Sequence, residues 1–89
     1  MTDPNPARQV LDTLKLAEAK PADEALPMLN ALIPLVQGGG DEELEAQEAR
    51  ASAFLSICEV GKALHRGQPA DGLYTAAVAA TERWMAVAG

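Results

Sequence analysis

Residues 38–66 read GGGDEELEAQEARASAFLSICEVGKALHR, and the interpretation of this stretch decides the fold. Three consecutive glycines stop whatever helix precedes them and permit a hinge. From Asp41 to Arg66 no proline occurs, and alanine, leucine and glutamate dominate, all good helix formers. Asp41, Glu42, Glu43, Glu45 and Glu48 occupy the first two turns, while Lys62, His65 and Arg66 close the last one. Both ends therefore complement the helix dipole. The pattern predicts one long helix, about residues 41–66, spanning about 39 Å at 1.5 Å per residue. Phe54, Leu55, Ile57, Cys58 and Val60 project to nearly every side of it, which places the helix centrally. Gly61 within it is either a close-packing point or a weak spot.

Upstream of the glycines, Asn5-Pro6 is a helix start: a capping side chain, then proline at the first helical position. Ala7, Val10, Leu14 and Ala17 recur at helical spacing with Leu11 at the edge, giving an amphipathic helix over about 6–19. Lys20-Pro21-Ala22-Asp23 ends it and begins a second helix, about 22–37. Pro27 and Pro34 each remove a hydrogen bond and press on the carbonyl four residues back, so a kink or a late start near Leu26 is expected. The apolar set Leu26, Met28, Leu29, Leu32, Ile33, Leu35 and Val36 covers about half the circumference, wider than the usual ~100° stripe.

Downstream, Arg66-Gly67-Gln68-Pro69-Ala70-Asp71 is a turn, and a last helix follows over about 70–88. Its stripe is Leu73, Ala77, Ala80, Trp84 and Val87, with a neighbouring one formed by Tyr74, Val78, Thr81 and Met85. The expected fold is all-α: one domain over 1–89, with four helices arranged as two hairpins joined by a glycine hinge. Such hairpins pack as a compact bundle or in the manner of helical repeats. Pro21-Ala22-Asp23 and Pro69-Ala70-Asp71 hint at the repeat, although such arrays usually need three units.

The 89 residues are 48% hydrophobic, enough for a small core whose stability a partner would reinforce. A net charge of −6 argues against binding a nucleic-acid backbone. Five acids and no base fall between 41 and 48, whereas residues 49–89 carry +1. The opening Met1-Thr2-Asp3-Pro4 lacks the basic start and apolar run of a signal peptide, and a single cysteine allows no internal disulfide, so a cytoplasmic protein is expected. The densest apolar stretch, Ala25 to Val36, is short and broken by Pro27, Asn30 and Pro34, so no membrane association is expected.

Catalytic material is scarce. Cys58 and His65, the only cysteine and histidine, lie seven residues and about 10 Å apart along one helix, too far for a thiolate–imidazole pair. Glu59 and His65 lack a second histidine or cysteine to complete a zinc site, and the acidic run lacks the spacing of a calcium loop. The triple glycine precedes Asp-Glu-Glu where a phosphate loop needs Lys-Ser or Lys-Thr. No catalytic residue, cofactor or metal is therefore expected, and no enzyme activity.

What remains is surface. Tyr74, Val78 and Met85 widen the apolar arc of the last helix and are the first candidates for a partner-binding face. Glu42, Glu43 and Glu45 are the second, as a strip that steers a basic partner. The expected function is a non-catalytic protein–protein interaction module (an adaptor, small chaperone or accessory subunit) that acts as a homodimer or within a complex. The alternative is a small acidic inhibitor or immunity-type protein, such as a phage anti-defence protein, that blocks a basic groove of its target.

Overall fold

A computed structural model describes residues 6–37 and 43–88 of the chain. It contains five helical segments: α1 (Pro6–Glu18), α2 (Ala22–Asn30), α3 (Ile33–Gln37), α4 (Leu44–His65) and α5 (Asp71–Ala88). The all-α compact bundle is as expected. The Cα radius of gyration is 12.5 Å, against about 12 Å for a compact chain of this length. The glycine hinge at 38–40, the Asn5 cap and Glu42 lie outside the described residues.

The expected second helix is two segments. It starts at Ala22, not near Leu26, because Pro21 sits just outside with extended backbone (φ −65°, ψ 161°) and its carbonyl accepts the Glu24 and Ala25 amides at 3.0 and 2.9 Å. Pro27 is tolerated within α2, and its carbonyl still accepts the Ala31 amide at 3.1 Å. The break comes at Ala31-Leu32, ahead of Pro34. Proline there has no amide for the Asn30 carbonyl, so the chain turns and restarts, placing Pro34 in the first turn of α3 where it is harmless.

α4 is shorter than the acidic run suggested. Glu43 is extended (φ −65°, ψ 156°), and the helix runs from Leu44 for 22 residues, about 33 Å. Its end is a Schellman motif: Gly67 takes φ 69°, its amide donates to the Leu64 carbonyl (3.2 Å), and the Gln68 amide donates to that of Ala63 (2.8 Å). α5 then begins at Asp71, with Ala70 just outside accepting the Tyr74 amide at 2.8 Å. The two Pro-Ala-Asp tripeptides therefore play different roles, since Ala22 opens α2 whereas Ala70 precedes α5. Nor do the hairpins stack as separate units. α5 lies along both α4 and α1, and α2 and α3 pack on α1 and α4.

One core joins all the elements. Trp84 fills it with Val10, Leu14, Leu32, Val36, Ile57 and Val60, all fully buried or nearly so. Alanines make up much of the rest, and α4 contributes Ala46, Ala49, Ala53 and Ala63 to its buried face. Short side chains let helix axes approach closely. α4 packs against α2, α3 and α5, but of the residues expected to place it centrally only Ile57 and Val60 are buried; Phe54 and Cys58 are half-buried, and Leu55 is exposed. Arg50 ties α3 to α4, its Nη1 donating to the Val36 carbonyl at 2.7 Å near the α3 C-terminus.

Candidate interaction surface

The buried seam of α5 is Tyr74, Ala77, Thr81 and Trp84, at steps of three and four, with Ala70 continuing it just ahead of the helix. Leu73, Ala80 and Val87 flank it on one side, Val78 and Met85 on the other, all half-buried. The two stripes read from the sequence are thus the two shoulders of one seam. The assignment of Tyr74 to a partner face is corrected accordingly. It is 4% exposed, because it occupies the middle of the arc that α1 and α4 cover. Val78 and Met85 pack against the same core and keep only partial exposure.

Two polar groups are carried into that seam. The Thr81 hydroxyl, fully buried, donates to the Ala77 carbonyl one turn back at 2.8 Å. The Tyr74 hydroxyl has no hydrogen-bond partner among the described residues. Burial pushes its pKa above the ordinary 10, and the Glu18 carboxylate at the end of α1 raises it further by disfavouring a second negative charge.

Among the described residues three large apolar side chains are exposed, Leu16 on α1 and two that share a face of α4. Leu44 is 71% and Leu55 64% exposed, and with the exposed Ala51 and half-buried Cys58 they form one row at steps of seven, four and three. Glu43, Glu45 and Glu48 are exposed around Leu44, and Lys62, His65 and Arg66 are exposed at the other end of the helix. This places the predicted strip residues Glu43 and Glu45 at the edge of an apolar row on α4, not beside Tyr74 or Met85.

Next to that row an open groove of about 480 Å³ separates α2 and the start of α3 from the second half of α4. Leu26, Leu29 and Ile33 form one wall, and Ile57, Cys58 and Gly61 the other, with Asn30, Lys62 and His65 at the rim. A Cβ built on Gly61 would meet nothing within 4 Å. Of the two roles offered for this glycine, close packing is therefore excluded. Lys62 pairs with Glu59 at 3.3 Å on the surface.

Cys58 and His65 both line the groove but two helical turns apart, so the thiol and imidazole share a wall without forming a pair. Among the described residues, no group of three or more His, Cys, Asp or Glu is placed to hold a metal ion, and no helix is long and apolar enough to cross a membrane.

Sequence reasoning missed the Leu44–Leu55 row because Leu55 was counted towards a central helix and Leu44 was not weighed. The spacing of Leu44, Ala51, Leu55 and Cys58 carried the signal. The groove had none, since α2 and α4 meet only in three dimensions. No protein-family model matches the chain, and no curated protein or solved structure is significantly similar to it.

Proposed function

We propose that this chain is a non-catalytic protein–protein interaction module, an adaptor, small chaperone or accessory subunit, that docks through the outer face of α4. The observation that supports this reading is the row of solvent-facing leucines on the longest helix, continuous with an open, mostly apolar groove. Large aliphatic side chains gain free energy when such a face is covered, about 25 cal/mol per Å² removed from water. The occupant is another protein or a second copy, with no direct nucleic-acid or membrane role. We place the module in the cytoplasm on the strength of its single unpaired cysteine.

The test is capture of partners from the native host by the wild-type chain, Leu55→Glu, and a Glu43→Gln/Glu45→Gln double variant. Loss with Leu55→Glu alone, and little response to salt, supports docking through apolar area. A second reading, the acidic inhibitor of a basic groove, is favoured by one observation: Glu43, Glu45 and Glu48 are all exposed at one helix end. It predicts loss with the double glutamine variant and a steep weakening with salt. Retention of every partner by both variants would sink both readings.

A further inference from the structure

We propose that the outer face of α4 binds a second copy of this chain in antiparallel orientation, the Leu44 side chain of each copy seated in the groove of the other. The proposal rests on the interaction-module reading and names its partner.

The argument starts from the shape of the face. In helix-on-helix packing a knob settles among four residues spaced i, i+3, i+4 and i+7. Cys58, Gly61, Lys62 and His65 have that spacing, and all four line the groove. Gly61 lies at its centre, where the missing side chain leaves more than 4 Å of open space. A glycine in a helix interior is less favourable than alanine. Among the described residues, none fills the room it creates.

Leu44 is the most exposed large apolar side chain described, and it belongs to the same helix face. Centre Leu44 of one copy over Gly61 and Lys62 of the other, and position numbers that face each other add to about 106. Leu55 then falls, within one residue, on the second copy's Glu48–Ala51–Ser52–Leu55 set, whose two central members are small. One register therefore seats both exposed leucines of α4, large on small, twice over. This is what a twofold, isologous contact requires.

Charge selects the direction. Glu43, Glu45 and Glu48 stand at the start of α4, and Lys62, His65 and Arg66 at its end. Antiparallel pairing lays each acidic end on a basic one, and opposes the two helix dipoles favourably. Parallel pairing would put three glutamates beside three. Glu59, already paired with Lys62, is the one acid at the basic end, so the complementarity is net and not complete.

The full chain can report on this register through its own thiol. Glu48→Cys places a second thiol ten residues from Cys58, about 15 Å away on the same helix and out of reach within one chain. Under mild oxidation the expected product is a covalent dimer in which peptide mapping joins the introduced thiol to Cys58 of the other copy. Sedimentation of the wild type should show a reversible dimer. Leu55→Glu and Gly61→Leu, the latter filling the groove that Leu44 needs, should each raise the dissociation constant roughly tenfold or more with helicity unchanged.

A wild type that stays monomeric at every concentration would overturn the proposal. So would a dimer indifferent to both variants, or a cross-link chiefly between two Cys58 thiols. If the chain is monomeric but Leu55→Glu releases a different protein, the second-copy proposal falls and the module reading stands. If neither self-association nor any other binding depends on Leu55, both fall.

Discussion

α4 and α5 are the two longest helices of the bundle, joined by one tight turn, and they use their apolar residues in opposite ways. α5 sends its largest side chains, Trp84 and Tyr74, into the core and leaves mainly small ones outside. α4 buries four alanines with Ile57 and Val60, and turns Leu44 and Leu55 to solvent. α5 is the more hydrophobic of the two, but the difference that matters is the angular position of the large residues. A helix whose buried face is mainly short side chains gains close approach to its neighbours, and large apolar groups on its other face are left for something else to cover.

The strongest way to break this contrast is truncation on either side of it. Trp84→Ala should cost about 3–5 kcal/mol, since it removes the largest fully buried side chain from the centre of the core. Leu55→Ala, measured at a dilution where any dimer has dissociated, should stay within about 0.5 kcal/mol of wild type. Chemical denaturation of both variants checks the pair. Comparable losses would mean that Leu55 is covered within its own chain.

Next in size is the tie between the helices that flank the groove. Arg50→Ala should cost about 1.5–3 kcal/mol, because the bond to the Val36 carbonyl is charge-assisted and partly buried. The same change should speed hydrogen exchange in α3 more than in α5. Exchange rising equally in both would show that Arg50 supports the whole bundle and not the α3 junction.

Tyr74→Phe tests how completely α5 is buried. Removing a hydroxyl that has no partner should stabilise the protein by about 1 kcal/mol. It should also change the alkaline limb of the stability curve. The folded pKa is raised above the unfolded value near 10, so the neutral phenol is the form that folding favours. Its contribution is fully present below pH 10 and is lost as pH rises beyond that towards the folded pKa. The phenylalanine variant should lack this decline. Tyr74 is the only tyrosine, so an absorbance titration reads it without interference. A phenol that titrates at its ordinary value would return Tyr74 to the surface.

The helix class and the outer ends of α1 and α5 were legible because alanine-rich windows, prolines at first turns and Gly67 after α4 act locally. So was Trp84, fixed by a regular stripe. The centre of the α5 seam was not. Two adjacent stripes, Leu73–Val87 and Tyr74–Met85, are equally apolar, and only the positions of α1 and α4 decide that the seam runs between them. The same limit hid the free face of α4. Leu55 and Ile57 are equivalent in composition, two residues apart, and their fates differ because α5 and α2 cover one side and nothing described covers the other.

The smallest expected effect bears most directly on the groove. Gly61→Ala should stabilise the monomer by about 0.5–1 kcal/mol, since alanine restricts the unfolded chain and favours the helix while its Cβ meets no neighbour. In a domain of this size that raises the melting temperature by roughly 2–8 °C. The sign carries the information. A stabilised variant means that the glycine is locally unfavourable, and that α2 stands back from α4 by more than a methyl group. A destabilised one would mean that α2 closes on Gly61, abolishing the groove and with it the seat for Leu44. Comparison with Gly61→Leu extends the measurement: both should fold at least as stably as wild type, but only the larger side chain should fill the space. Stability gained by both variants, with self-association impaired mainly in the leucine one, would tie the open space at Gly61 to binding and not to packing.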